Sequence, residues 1–172
     1  NACVEVDGSA YWMSENGFFR YAGKLESLPC LVEDHVYDNI NLESGNQMVS
    51  AGLNNLFGEV MWFYPTTGSS VVNRMVCYNY FDSSPQRPVW TVGTLARTMW
   101  EDSAVFGSPH ATEYTAGNDS SFDVVGNTEG RTIYYQHETG TDQVQGGATT
   151  AITANISSGD FDISQRRGIT GQ

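Results

Sequence analysis

Short stretches in which apolar and polar residues alternate recur along the chain, and this period of two predicts β-strands separated by polar turns. The first strands predict a meander, in which Asn16 and Gly17 supply the two positive-φ residues of a type I′ hairpin turn. The strands between 48 and 100 predict one antiparallel sheet. The predicted strands of this half are 10–13, 18–21, 25–30, 48–52, 59–64, 74–80, 89–92 and 97–100.

One change of period predicts a short helix between these two groups of strands. Val32, Val36 and Ile40 recur every four residues, as on one face of a helix. Glu33 and Asp34 stand where a helix N-terminus favours negative charge. We therefore predict a helix over 32–39, as a small excursion from a β fold.

The second half of the chain is patterned more weakly. Gly, Asn, Ser and Asp dominate 103–130, and a clear strand follows at 131–137. A polar turn over 138–147 and an edge strand within 148–156 complete the predicted elements. The residues after 159 are expected to have no regular structure.

Paired aromatic residues recur in the strands at intervals of roughly 50 to 70 residues, and propeller blades are four-stranded sheets of similar length. We predict an all-β fold of β-propeller-like antiparallel blades, with about three blade equivalents in 1–163 and an irregular tail at 164–172. Because closed propellers have at least four blades, the chain is expected to be an incomplete part of a larger propeller. A β-sandwich would show similar strands. The aromatic groups are Tyr11-Trp12, Phe18-Phe19, Trp62-Phe63-Tyr64, Tyr78, Tyr80 and Tyr134-Tyr135.

Composition narrows the possible functions. The chain has 172 residues, enough for one domain with a buried core. Eight Lys and Arg against 20 Asp and Glu give a net charge of -12, and Lys24 is the one lysine. Nucleic-acid-binding surfaces and polybasic membrane-binding patches need clustered cations, so the composition argues against both functions. Aromatic residues at 12% and 18 glycines favour short strands and tight turns.

Cysteine usage and flanking patterns indicate the compartment. Cys3, Cys30 and Cys77 lack C-x-x-C spacing, which favours free thiols in a reducing cytoplasm over a disulfide scaffold or a zinc site. No apolar stretch reaches the ~18 residues of a membrane helix. Without a visible secretion signal, the glycosylation patterns at Asn118 and Asn155 are expected to be chance matches. We expect the chain to be a fragment of a longer polypeptide.

Candidate chemistry is sparse, and we predict no catalytic, cofactor or metal site. There is no G-x-S-x-G nucleophile elbow, and the three histidines, His35, His110 and His137, lack metal-ligand spacing. The oxygen-rich loop 118–123 lacks EF-hand spacing. A glycosidase needs two facing carboxyls, whereas sequence-near acidic pairs suit a solvated surface. These pairs are Glu33 with Asp34, Glu138 with Asp142, and Asp160 with Asp162.

The tryptophans and one arginine are assigned structural roles. All four tryptophans lie within apolar strands, which favours core packing over sugar platforms, and at least one of Trp62 and Tyr64 should be buried. Arg97 stands in a chain that is short of cations. We expect its guanidinium to bind a carboxylate or several backbone carbonyls, at a contact within a blade or at a junction between blades. The tryptophans are Trp12, Trp62, Trp90 and Trp100.

Six segments carry distinctive sequences in a fixed order: LPC at 28–30, EDHVYDNIN at 33–41, EVMWFYP at 59–65, WTVGTLARTMW at 90–100, YYQHETG at 134–140 and SGDFDI at 158–163. In this order they resemble the tail-tube (nozzle or stabilisation) proteins of tailed bacteriophages, especially short-tailed ones. The resemblance covers roughly residues 11 to 163. Members of that family are longer and begin with further blades, and residues 164–172 do not continue the family pattern.

The resemblance implies a structural virion protein without catalysis, made in the bacterial cytoplasm and located in the tail. It implies a β-propeller platform that forms a homo-oligomeric ring beside the portal, adaptor and other tail proteins. Genome DNA would pass through the ring without specific binding, and no membrane insertion is expected. A net charge of -12 fits this role, because it repels phosphate over a screening length of about 8 Å.

Two other functions remain open at this point. One is a carbohydrate-binding β module, such as a receptor-binding tail protein with exposed tryptophans. The other is a glycoside hydrolase that uses an acidic pair. Loss of glycan binding on changing an exposed tryptophan would favour the first, and polysaccharide turnover abolished by one carboxylate change would favour the second.

Overall fold

The computed structural model describes residues 2–41, 48–102, 109–115, 131–136, 141–143 and 149–151. The chain divides into two compact units, Asn1–Glu138 and Thr139–Gln172. Antiparallel sheets and one short helix make up the regular structure of the described residues, which confirms the all-β class.

Sheet 1 is a four-stranded meander in strand order. Its strands are β1 (Cys3–Val6), β2 (Ser9–Ser14), β3 (Gly17–Tyr21) and β4 (Leu25–Leu28). Strand β4 ends immediately before Pro29, which cannot donate to a ladder.

Two of the three hairpin turns of sheet 1 differ from the sequence prediction. Asp7 and Gly8, with φ of 48° and 75°, join β1 to β2 in the two-residue, double positive-φ pattern of a type I′ turn. The predicted type I′ turn at Asn16 and Gly17 is wrong. Ser14 pairs with Gly17, so Glu15 and Asn16 form the turn, and only Gly17 has a positive φ.

Helix α1 (Glu33–Tyr37) connects sheet 1 to the next sheet and confirms the predicted helix in a shorter form. Val36 and, beyond the helix, Ile40 are buried, as their spacing predicted. The Tyr37 hydroxyl donates to the Ser14 carbonyl at 2.6 Å and accepts from the Gly17 N–H at 3.0 Å, so the helix is anchored to the β2–β3 turn. Burial raises the pKa of Tyr37 to about 12.

Sheet 2 is a second four-stranded meander. Its strands are β5 (Ser50–Asn54), β6 (Glu59–Tyr64), β7 (Arg74–Asn79) and β8 (Trp90–Gly93). The predicted single sheet over 48–100 is confirmed for these four strands, although β5 lies two residues later than the prediction. It is wrong for 97–100, because the chain crosses to another sheet after Gly93.

Sheet 3 contains β9 (Met99–Glu101), β10 (His110–Thr115) and β11 (Arg131–Gln136), with β10 in the middle. Strand β10 falls in the region for which no strand was predicted, and β11 confirms the strand predicted at 131–137.

In the second unit, β12 (Thr141–Gln143) pairs with β13 (Thr149–Ala151). The predicted polar turn over 138–147 is therefore wrong at β12, and the predicted edge strand is confirmed at β13. The tail at 164–172 lies outside the described residues.

Sheet 2 is buried on both faces, which positions everything discussed below. Val60, Trp62 and Tyr64 pack with side chains of sheet 1, while Met61 and Phe63 form a separate cluster that Trp100 of sheet 3 packs against. Strand β6 is consequently one continuous apolar stretch. Both Trp62 and Tyr64 are buried, as predicted. The first strands of the three sheets lie side by side, β1 against β5 and β5 against β9.

Candidate functional site

The described residues form a cleft of about 370 Å³ between sheet 1 and the segment that follows β7. Sheet 1 lines it through strands β1 to β4, and sheet 2 lines it through the end of β7 and the loop after it. The lining residues that carry polar groups are Asp7, Ser9, Tyr11, Arg20, Glu26, Ser27, Tyr78, Tyr80, Ser83 and Ser84.

Arg20 is the cation of this cleft. Its Nη2 donates to Ser9 Oγ at 3.2 Å, and its Cζ lies 5.6 Å from the centroid of the Tyr11 ring. Its Nε is buried without a hydrogen-bond partner. A buried unpaired donor is costly, so a ligand acceptor that reached Nε would gain a strong hydrogen bond.

Three tyrosines supply aromatic surface beside Arg20. The Tyr11 ring centroid lies 6.1 Å from that of Tyr78 and 6.3 Å from that of Tyr80. Burial raises the pKa of Tyr11 and of Tyr80. Their hydroxyls therefore stay protonated at neutral pH and serve as hydrogen-bond donors and acceptors rather than as bases.

This lining offers groups that can bind a polar ligand. Hydroxyls, one guanidinium and the carboxylates of Asp7 and Glu26 surround aromatic rings, a combination that can hold a polyhydroxylated small molecule. The described residues of the lining include no histidine or cysteine that could act as a nucleophile or a shuttling base.

The residues considered in the sequence for catalysis or metal binding are scattered. His35 and the acidic pair Glu33 and Asp34 belong to α1, and His110 begins β10. The described residues contain no cluster of three or more potential metal ligands. Asp142 lies in β12. His137, Glu138, the loop 118–123, Asn155, Asp160 and Asp162 lie outside the described residues.

Two of the three cysteines, Cys30 and Cys77, are poor nucleophiles in this structure. All three thiols are free; Cys3 is exposed, Cys30 is half-buried and Cys77 is buried. Burial raises the pKa of Cys30 to about 11 and raises that of Cys77 further. Since the thiolate is the reactive form, neither buried thiol is primed for chemistry at neutral pH.

Tryptophans connect successive sheets. The indole N–H of Trp62 donates to the Ala2 carbonyl at 3.0 Å, and that of Trp90 donates to the Pro29 carbonyl at 2.8 Å, so both reach from sheet 2 to the ends of sheet 1. Trp100 of sheet 3 donates to the Leu53 carbonyl of sheet 2 at 3.0 Å. The predicted core role is confirmed in full for Trp62, whereas the other three tryptophans are only partly buried.

The junction between sheets 2 and 3 also contains charged groups. Arg97 is buried in the crossing segment, where its Nη1 donates to the Ala96 carbonyl at 2.7 Å and lies 3.6 Å from Glu113 Oε2 on β10. This confirms the expected carboxylate and carbonyl partners. Asp102 Oδ1 accepts from the Leu53 N–H at 2.6 Å, and burial raises its pKa.

Sequence reasoning missed both the cleft and the role of Asp102. Asp102 and its partner Leu53 are 49 residues apart, and a lone Asp after a strand has no recognisable pattern. No helix of the described residues is long and apolar enough to cross a membrane. No family model matches the sequence, and no curated protein is significantly similar to it.

Proposed function

We propose that the chain is a structural virion protein, part of the tail nozzle or tube through which bacteriophage DNA is ejected, and that it has no catalytic activity. The observation that supports this most directly is where the phage-like segments lie. The segment 28–41 contains the link and helix between sheets 1 and 2, 59–65 contains the central strand β6, and 90–100 contains β8 and the crossing to sheet 3. The first and third segments are joints between sheets and the second is the buried strand of sheet 2, as expected of a family defined by architecture rather than by chemistry.

The arrangement of the sheets supports propeller blades as the finer architecture. Sheets 1 and 2 are four-stranded meanders that pack face to face, and sheet 3 continues the series. The first strands of successive sheets are the ones that approach each other, so the sheets fan out from that line. Fanned four-stranded sheets around a common axis define a propeller. Three such sheets require completion by others.

Charge supports passage of DNA without adsorption. The net charge is -12, so there is little counterion release to drive binding of duplex DNA. In the proposed ring, the wall that faces DNA is acidic or neutral, and Arg166 and Arg167 are kept off it.

Two measurements test this proposal. Imaging of phage particles with a label on this chain should place it in a ring in the tail. Duplex DNA should show no measurable binding at about 150 mM salt. Tight DNA binding that weakens steeply with salt, or a compact monomer with a closed fold of its own, would contradict the proposal.

The cleft favours a second candidate function, a carbohydrate-binding module. Arg20 with its unpaired Nε, the three tyrosines and the two carboxylates form a lining that suits a saccharide. Titration with host-surface glycans tests it: Tyr80→Ala in the cleft should abolish binding, whereas Tyr21→Ala outside the cleft should not. Hydrolysis of the glycan that is lost in Glu26→Gln would instead favour the glycoside hydrolase.

A further inference from the structure

Sheets 1 and 2 are copies of one structural unit, and the correspondence can be followed residue by residue. In each sheet a positive-φ glycine ends the first hairpin turn, Gly8 at 75° and Gly58 at 68°. A tryptophan follows four residues later, Trp12 in β2 and Trp62 in β6, at the fourth position of the second strand.

The cross-strand rows around these tryptophans also correspond. Trp12 lies opposite Phe19, as Trp62 lies opposite Val76. The neighbouring row of sheet 1 corresponds in the same register to a row of sheet 2. These rows are Ala10, Tyr21 and Leu25 in sheet 1, and Val60, Tyr78 and Trp90 in sheet 2.

The two tryptophans nevertheless have different surroundings. Trp62 has 0% exposure because sheet 1 covers its face, and its indole N–H is bonded to the carbonyl of Ala2. The equivalent face of sheet 1 has an apolar centre, which we call the Trp12 face, made of Ala10, Trp12, Phe19, Tyr21 and Leu25. Cys3, Glu5 and Ser27 flank this centre in the same cross-strand rows. Trp12 stacks on Phe19 at 5.7 Å but stays half-buried, and its indole N–H has no hydrogen-bond partner among the described residues.

The Trp12 face exposes large apolar side chains to solvent, with Glu5 at the end of the row of Ala10, Tyr21 and Leu25. Tyr21 is 51% exposed and Leu25 is 58% exposed, beside the Trp12–Phe19 stack. A contiguous apolar patch of this kind marks an interaction site. Its register equivalence with the Trp62 face indicates the partner, because the Trp62 face is covered by a stacked β-sheet.

We propose that the Trp12 face docks a second copy of this chain, through the face of that copy's sheet 3 that is turned away from its sheet 2. The direction of stacking carries this choice. The Trp62 face of sheet 2 packs on sheet 1, and the Trp100 face of sheet 3 packs on sheet 2, so each tryptophan face contacts the sheet before it in the chain. The sheet that covers the Trp12 face must therefore use the face that would contact a following sheet. In sheets 1 and 2 that face is already covered.

In sheet 3 the corresponding face carries Met99, which is 69% exposed. Met99 lies opposite Thr112, in the row next to the one in which Trp100 lies opposite Ala111 and meets sheet 2. Met99 gives this face an apolar side chain to place on the Trp12 face, and Thr112, Glu101 and His110 lie on the same face of sheet 3. The docking joins different faces of two copies, and such a heterologous contact generates rings when the rotation closes.

Two copies of three sheets bring six sheets together, within the four to eight blades of closed propellers. This inference rests on the proposed assembly role, since it names the face through which the assembly forms.

Sedimentation velocity of the full chain tests the docking, over concentrations of about 1 to 100 μM, where interfaces of moderate strength dissociate. The wild-type chain should associate, and Leu25→Glu should weaken association by about tenfold or more. Leu56→Glu is the matched control, because Leu56 is similarly exposed at 61% but lies in the β5–β6 turn. It should associate like the wild type.

Mixing identifies the partner as a second copy. Leu25→Glu and Met99→Glu each spoil one of the two faces, so each variant alone should be monomeric. An equimolar mixture retains one intact pair of faces and should form a 1:1 dimer. Failure of the mixture to associate, or equal effects of Leu25→Glu and Leu56→Glu, would overturn the proposal.

Two further outcomes separate this inference from the proposed function. A wild-type chain that stays monomeric at all concentrations while labelled particles contain it would overturn the docking and leave the virion role standing. Head-to-tail association of a chain that is missing from labelled particles would do the reverse.

Discussion

Sheets 1 and 2 share strand order, register and a tryptophan at the same position, yet one tryptophan is in the core and the other is at the surface. Along β2, buried and half-buried residues alternate, whereas along β6 the last five residues are all buried. The cause is what stacks on each sheet: among the described residues, sheet 2 has a neighbouring sheet on both faces and sheet 1 has a neighbouring sheet on one. Burial therefore follows from position in the stack, and the local sequence adapts to it.

The two junctions of sheet 2, one with sheet 1 and one with sheet 3, also differ in the kinds of contact that hold them. The junction with sheet 1 is an aromatic and aliphatic core, with Phe18 packed against Trp62 at 5.0 Å. The junction with sheet 3 combines a small apolar cluster with polar contacts made by Arg97 and Asp102. We expect the first junction to dominate stability and the second to be more sensitive to single polar changes.

The largest expected effect compares the two equivalent tryptophans. Trp62→Ala removes a fully buried ring and should lower the free energy of unfolding by about 3 to 5 kcal/mol. Trp12→Ala removes a half-buried ring with one stacking partner and should cost about 1 kcal/mol in the monomer. Urea denaturation of both variants measures the difference.

This pair tests the stacking explanation. The chain should be measured at a concentration low enough to be monomeric, so that any docking at Trp12 does not contribute. Equal losses for the two variants would show that burial by the neighbouring sheet is not what distinguishes Trp62.

The strands and the helix were predictable because their signals are local. Alternation identified β7, short apolar and aromatic stretches identified β6 and β11, and four-residue spacing identified α1. The Asp7-Gly8 turn was equally visible, as an Asp-Gly pair between alternating stretches, although the prediction did not include it. Strand β10 was hidden because its residues are mostly polar.

The membership of β9 was not predictable from local pattern. It joins sheet 3 while the Trp100 ring lies on sheet 2, bonded to Leu53, 47 residues earlier in the chain. The cleft likewise requires Arg20 to meet Tyr78 and Tyr80 from another sheet. Such contacts depend on how sheets stack, which periodicity within a strand does not encode.

Gly52 gives the next largest effect, at the second junction. A Cβ built there would overlap the Trp100 ring, so Gly52→Ala forces the ring off sheet 2. We expect a loss of about 1 to 3 kcal/mol, as for other overpacked sites. Gly93→Ala is the control, because its Cβ would meet only the flexible end of Met75 at 3.3 Å.

Chemical denaturation followed by tryptophan fluorescence reports both variants. Gly52→Ala should also shift the Trp100 emission toward that of exposed indole. A Gly52→Ala protein as stable as Gly93→Ala would contradict the close approach of the ring.

Arg97 tests how much the charged groups stabilise the junction between sheets 2 and 3. Arg97→Met keeps most of the aliphatic stem but leaves Glu113 without this cation. Because Glu113 is partly solvated, the loss should be about 1 to 2 kcal/mol rather than the larger cost of a fully buried broken pair. The double variant Arg97→Met with Glu113→Gln should recover part of it. Thermal unfolding of the four proteins gives the coupling, and strict additivity would argue against a functional ion pair.

The smallest effect is a pH dependence at Asp102. Burial raises the pKa of this carboxyl above the value of about 3.9 expected in the unfolded chain. The native state therefore binds the proton more tightly, so the stability contributed by protonated Asp102 is fully present below pH ~3.9 and is lost as the pH rises through the raised native pKa.

Asp102→Asn abolishes this titration, while the side-chain amide oxygen can still accept from the Leu53 N–H. In urea denaturation at several pH values, the free energy of unfolding of the variant should rise relative to that of the wild type between pH ~4 and 7. The two free energies should be closer to each other in acid. Since every other carboxyl titrates in both proteins, the difference isolates this one group. The difference in free energy of unfolding between the two proteins could instead be constant with pH, or Asp102→Asn could become less stable relative to the wild type as the pH rises. Either result would show that desolvation does not govern the pKa of this carboxyl.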